Sequence, residues 1–223
     1  MAVRTVGELE DRLDGALAWR RIELQTLKSQ IRAAYRNSAH SPLTRALARS
    51  GIALLYAHWE GYVKESCQAY VDYVAKRRLK IGELNDGLLK VVLDQLNRRS
   101  VSGDESAMLA LMEAVRVPDI SRARIPRDSI VDTKSNLRST VLSDILECIG
   151  FDPSAFLTKN NLIDRTLCDG RNAIAHGRDY YPNPDEFDTL HDEVMSMLTE
   201  IRSTIILHAQ EQRYRRKPPS ADV

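Results

Sequence analysis

Asp169-Gly-Arg-Asn-Ala-Ile-Ala-His-Gly177 gathers a guanidinium, an amide and an imidazole within six residues, and the rest of the chain is read outward from it. Upstream, Ile163 and Leu167 join Gly170 and Ile174 at spacings of four, three and four, which predicts one face of an α-helix. Glycine just past a helix end readily takes the left-handed conformation that stops the helix, so Gly177 places His176 in the last turn. There the dipole favours an imidazolium. Asn172 and His176 are four apart and share a face, whereas Arg171 stands about 140° around the axis from His176. A single straight helix therefore does not aim both charged groups at one point. Two copies of the helix, or one that opens at Gly177, would bring them together. Gly170 inside a helix costs about 1 kcal/mol relative to Ala, which predicts that another backbone or a ligand comes close there.

Helical periodicity continues nearly everywhere, with no alternation of period two. Val6, Leu9, Leu13, Leu17, Leu24, Leu27 and Ile31 describe one long amphipathic helix. Ser41-Pro42 starts a second, with Ser as cap and Pro at the first helical position. Ile52, Leu55, Tyr56, Trp59, Tyr62, Val63, Cys67, Tyr70 and Val74 give it a wide apolar face, so it should be the central helix, running out in Lys76-Arg-Arg-Leu-Lys80. Leu84, Leu88, Val92 and Leu96 mark a third, and Asp104 caps a short fourth carrying Leu109, Met112 and Val115. The segment from Val117 to Thr133 holds two prolines and Arg122, Arg124 and Arg127, and reads as an irregular loop. Leu137, Val141, Ile145 and Cys148 recover the spacing, and Asp152-Pro153 begins a further turn. The last helix has the clearest start: Asn183-Pro-Asp-Glu186 supplies a cap, a first-turn proline and a capping-box acid. The expected architecture is all-α, one helical domain over 1–211 followed by a basic, disordered tail over 212–223.

Composition excludes several classes. With 32 Lys and Arg against 31 Asp and Glu the net charge is +1, so contact with nucleic acid must come from local clusters. The three cysteines lack paired metal-ligand spacing, and an odd number argues against a disulfide framework. They read as buried thiols of a cytoplasmic protein. Neither a signal-peptide core nor a spanning segment of about 18 apolar residues is present, so no membrane partner is expected. Glycine-rich phosphate loops, nucleophile elbows and dinucleotide fingerprints are missing too.

The run Asn161-Leu-Ile-Asp-Arg-Thr-Leu-Cys-Asp-Gly-Arg-Asn-Ala-Ile-Ala-His-Gly177 resembles the HEPN superfamily, in particular bacterial HEPN-like nucleases of toxin-antitoxin and other defence loci. Their signature is Arg, a polar residue that is often Asn, three or more further residues, then His; here the match is Arg171, Asn172 and His176. His58-Trp-Glu-Gly-Tyr-Val-Lys-Glu65 on the second helix also looks like that group. The resemblance implies a helical bundle with long antiparallel helices and a homodimer in which two Arg-His sets line one cleft. It further implies a metal-independent endoribonuclease without cofactor, acting on RNA through its 2′-hydroxyl, with an antitoxin or a nucleotidyltransferase as further partner. Some such toxins carry a Tyr two residues after the His that a nucleotidyltransferase modifies with AMP. Arg178 occupies that position here, with Tyr180 and Tyr181 further on.

The chemistry fits the residues. An imidazole titrating near neutrality can accept the 2′-hydroxyl proton or protonate the leaving oxygen. A guanidinium is the planar donor for the charge that builds on the phosphorane. Asn172 supports either by hydrogen bonding. Plainer readings stand beside these: Arg171 in a surface ion pair and His176 as a histidine at a helix C-terminus, and Glu60 with Lys64 as an ordinary salt bridge four apart rather than Glu60 orienting Arg171 or His176. His58, His191 and His208 read as satisfied surface or core histidines, and the arginines of 116–127 as solvated charge or RNA-backbone contacts. The alternative to catalysis is a HEPN-like module that binds RNA, a nucleotide or a protein partner.

Overall fold

Thr5 opens the first long helix with a capping box, its hydroxyl accepting the Glu8 N–H at 3.1 Å while Glu8 Oε2 accepts the Thr5 N–H at 3.0 Å. In the computed structural model, which describes residues 3–217, this helix, α1, runs Val6–Asn37. Ser41 caps α2 (Pro42–Ala75) by accepting the Thr44 N–H at 3.1 Å. The Asn183–Glu186 capping box opens α7 (Pro184–Gln210), as the sequence predicts. Between them lie α3 (Asp86–Val101), α4 (Glu105–Arg116), α5 (Ser139–Cys148) and the short α6 (Asp169–Ala175). No strand forms among the described residues, and the chain is all-α.

The three long helices form the core. Short linkage at 38–41 forces α1 and α2 antiparallel, with His58 against Glu23 near the middle of both and Tyr62 beside Leu13 further along. Ion pairs then lock α7 antiparallel to α1: Arg202 holds Glu10 at 2.6 Å and Asp14 at 2.8 Å, while Lys28 holds Asp192 at 2.6 Å. Every apolar residue singled out on α2 is buried, Trp59, Tyr62 and Tyr70 completely, so α2 is the central helix. Cys67 and Cys168 are buried, and burial pushes both thiols up to about 12; Cys148 is only half-buried. His58, His191 and His208 are all core residues rather than surface ones.

Three features depart from the expected pattern. In α4 the residues turned inward are Ala107 and Ala114, and Met108, Leu109, Met112 and Val115 are exposed; small residues let α4 lie close on α3. Leu137 precedes α5 instead of belonging to it. The frayed tail does not begin at 212: Tyr214 is buried, its carbonyl accepts the Asn85 N–H at 3.0 Å, and Arg215 pairs with Glu83 at 2.5 Å. Residues 218–223 of that expected tail lie outside the described residues.

Close packing at the α1–α2–α7 crossing makes a testable contrast. A Cβ on Gly51 would sit 2.7 Å from both Ile31 Cδ1 and Phe187 Cε2, two fully buried side chains. On Gly61 it would meet nothing nearer than Arg20 Nη2 at 3.5 Å. Gly51→Ala should destabilise by about 1–3 kcal/mol through overpacking, and Gly61→Ala should stabilise by up to about 1 kcal/mol through helix propensity. Denaturant titrations giving the two changes the same sign would contradict this packing.

His208 adds a pH dependence. Burial, assisted by Arg213, holds its imidazolium form off until pH falls to about 4, against 6.5 for an ordinary histidine. Between those values the unfolded chain takes up a proton that the folded chain refuses, so stability declines as pH drops through this window. The loss attributable to His208 is roughly 3 kcal/mol. Unfolding curves at pH 7 and pH 4.5 should show it in the wild type and show it reduced in His208→Leu.

Candidate functional site

Arg171 is mounted rather than free. Its guanidinium lies over the Tyr56 ring of α2 at 4.1 Å from the centroid, a cation–π contact. Nη2 donates to the Ser135 carbonyl at 3.0 Å and reaches Asn136 Oδ1 at 3.4 Å. Nε is buried without a partner, and Nη1 donates to no residue among those described. Tyr56 is itself pinned, since its hydroxyl oxygen accepts the Leu137 N–H at 2.8 Å. Burial pushes the Tyr56 phenol up, with Glu60 adding to that, while the Leu137 N–H and Arg171 pull the other way. The phenol therefore stays protonated at neutral pH.

The loop that carries Ser135 and Asn136 is laid along α2 in the opposite direction. Arg127 approaches Asp72 at 3.7 Å, Thr133 Oγ1 donates to Glu60 Oε1 at 2.6 Å, and Leu137 meets Tyr56. Glu60 thus serves the loop, and no ion pair joins it to Lys64. Spacing of four on a helix allows such a pair but does not choose it over a better hydroxyl donor.

The approach to α6 differs from a straight α-helix. Leu162–Cys168 is π-helical, the Asp169 N–H returning to the Asp164 carbonyl five residues back. This aligns Asp164 with Asp169, which an α-helix would separate by about 140°. Both then face the start of α5: Asp164 accepts from Ser139 N at 2.8 Å and Ser139 Oγ at 2.6 Å, and Asp169 accepts from Arg138 Nη2 at 2.5 Å. Because Arg138 makes no capping bond with its own side chain, Asp164 caps α5 from outside. Cys168 Sγ donates to the Leu137 carbonyl at 3.3 Å, closing the same junction.

Beyond the π turns the chain is α-helical again, and it ends as predicted. Gly177 has φ +73°, its N–H returning to Ile174 O at 3.0 Å and that of Arg178 to Ala173 O at 2.8 Å. These two bonds make a Schellman motif. His176 caps the helix with its ring exposed. Asn172 is half-buried, and its carbonyl accepts the His176 N–H at 3.0 Å. No hydrogen bond joins Arg171, Asn172 or His176 through their side chains: the α-helical twist of 169–175 leaves Arg171 turned towards Tyr56 and the histidine at the rim. The protein atom that comes closest to Gly170 belongs to the Tyr180 ring rather than to backbone, 3.0 Å from where a Cβ would stand. Tyr180 is packed there, and Arg49 holds the Arg178 carbonyl beside it.

Sequence reasoning did not find Tyr56 as a site residue. It counted it among the apolar face of α2, and the one available signal was its place one turn before Glu60, in the helix whose His58–Glu65 stretch carries part of the resemblance. Among the described residues no group of three or more His, Cys, Asp or Glu side chains is placed to hold a metal ion, and no helix is long and apolar enough to cross a membrane.

Replacing Tyr56 tests the mount. Tyr56→Phe leaves the buried Leu137 N–H without its acceptor, which should cost about 1–3 kcal/mol. Unfolding titrations should show that loss, and amide exchange should show Leu137 losing protection. Unchanged protection at Leu137 would mean that the loop is held by something else.

A family model described as HEPN_MAE_28990-like HEPN matches residues 9–214. No curated protein and no solved structure matches the chain.

Proposed function

We propose that this chain, which belongs to the HEPN family matched over residues 9–214, is a metal-independent endoribonuclease whose site is built from Arg171 and His176 across a twofold dimer. The observation that carries this reading is that one short helix carries both a guanidinium mounted on Tyr56 and Ser135 and, at its end before the left-handed Gly177, an exposed imidazole. Family membership supports a nuclease-like or RNA-related module, and the residue chemistry supports the reaction.

In that reaction the ribose 2′-oxygen attacks phosphorus, an imidazole takes the 2′-hydroxyl proton, and the bond from phosphorus to the 5′-oxygen breaks. The departing 5′-oxygen gains a proton, and a 2′,3′-cyclic phosphate remains. The free Nη1 edge of Arg171 is suited to the extra charge on the phosphorane, because its planar donors are already oriented and need no reorganisation. Since Arg171 and His176 diverge on one α6, a second copy supplies the missing partner, with the two α6 helices facing each other. Asn172, on the His176 face of the same helix, supports the ring or a phosphate oxygen. A toxin or defence role, with an antitoxin or nucleotidyltransferase as partner, is consistent with this reading. So is a cytoplasmic location.

A second reading has one observation in its favour. Arg171 Nη2 already has Ser135 and Asn136 as partners, as expected of a structural arginine in a module that binds RNA, a nucleotide or a protein without cleaving it.

Cleavage in excess EDTA separates the two. The purified protein should cut RNA and leave 2′,3′-cyclic phosphate ends. His176→Ala should lose about 10²–10⁴-fold in rate, and Arg171→Lys should retain weak activity because the charge stays and the planar fork is lost; both should keep the helical spectrum. Mixing inactive Arg171→Ala and His176→Ala chains should restore one competent site per heterodimer. Ends carrying a 5′-phosphate and a free 3′-hydroxyl, or equal cleavage of DNA, would overturn the mechanism; no cleavage at all would leave the binding module.

A further inference from the structure

Two runs of basic sequence more than forty residues apart meet in space. Lys76 and Arg78, where α2 ends, and Arg122, Arg124 and Arg127, from the long loop, line a cavity of about 280 Å³. Backbone bonds hold the runs together: Ile81 N–H to Ser121 O at 2.9 Å, Ala123 N–H to Leu79 O at 2.9 Å, and Gly82 N–H to Pro118 O at 2.9 Å. The acid nearest to these five cations is Asp72, 3.7 Å from Arg127.

The negative end of the α2 dipole accounts for a cation or two at this position. It does not account for three further arginines delivered by a loop, of which only Arg127 has an ion-pair partner among the described residues, Asp72. Nor does it account for Arg78, which holds φ +54°, a left-handed conformation that glycine adopts without strain. A side chain kept where its backbone is strained points to a role for that side chain.

We infer that this cavity is a phosphate-binding site for the backbone of a single-stranded nucleic acid, separate from the Arg171–His176 site. The loop ties the two sites together. It leaves the cavity beside Asp72 and ends on Tyr56, sixteen residues back along α2 and so about 24 Å away. A strand held in the cavity is then led along the loop to the mounted arginine. The inference builds on the RNA reading above but does not depend on cleavage, because phosphate is recognised whether or not it is cut.

Binding of a fluorescent, fully 2′-O-methylated RNA, which cannot be cleaved by 2′-hydroxyl attack, tests the site by anisotropy across a salt series. The Arg122→Gln/Arg124→Gln/Arg127→Gln protein should bind at least tenfold more weakly at 100 mM salt, with a log–log salt slope shallower by about 2. A control that removes three charges elsewhere, Arg21→Gln/Lys90→Gln/Arg98→Gln, should bind within twofold of wild type. Arg78→Gly should raise the melting temperature by relieving the strained backbone and yet weaken binding several-fold; single-stranded DNA should show the same losses. Equal binding by the wild-type and triple-variant proteins, an equal loss in the control, or no binding by the wild type would overturn the site. Failure of cleavage alone would overturn only the catalytic reading.

Discussion

The Tyr56 ring is where the separate parts of the molecule are tied together. Its hydroxyl takes the Leu137 N–H and its face takes the Arg171 guanidinium, so the central helix, the long loop and the signature helix meet at one side chain. Each contact would be weak in water. Here the N–H is buried, and an unmet buried N–H costs far more than a made bond returns, so the register between the loop and α2 has little freedom. Because α2 is packed against α1 and α7 with its apolar face buried, that register rests on the core, and the arginine is mounted on it.

From this tie the π turns follow as a geometric necessity. Ser139 begins α5 two residues after Leu137, and its N–H needs an acceptor that Arg138 cannot supply. Asp164 supplies it, while Asp169 must reach Arg138 beside it. Two residues five apart face one way only if the turn between them is widened. The widened stretch ends at Cys168, so 169–175 resumes α-helical twist with its faces rotated relative to an uninterrupted helix, and this rotation is what delivers Arg171 to Tyr56. The departure from regular helix therefore lies immediately before the candidate site and sets its aim.

How much of this was legible in the sequence follows from how local each cause is. Caps at Ser41 and Asn183, the left-handed glycine at 177 and the apolar face of α2 depend on residues within a turn or two of one another, and all were readable. The α4 face was misjudged because periodicity marks an amphipathic helix without saying whether large residues or alanines meet the neighbour. Glu60 was paired with Lys64 on spacing, whereas its partner Thr133 lies seventy-three residues away. The packed segment after Gln212 looked like a tail because charge and prolines hide one buried residue, Tyr214. Long-range partners of this kind leave no periodic trace.

The direction of the loop bears on what the molecule can do as a unit. Its first half carries the arginines that converge on the end of α2, and its second half holds Arg171, with Thr133 on Glu60 between them. A phosphate at the first point and a phosphorane at the second would act on one covalent segment laid against one rigid helix. Binding energy gathered at the far end can then position the scissile group without moving the core. His176 is outside this arrangement, exposed at a helix end that turns away from Tyr56. The aimed half of the proposed chemistry is thus fixed within the chain by α2, and the proton-transferring half waits on whatever packs against α6. In the proposed twofold dimer that neighbour would be another α6, and assembly rather than folding would be the step that completes the site.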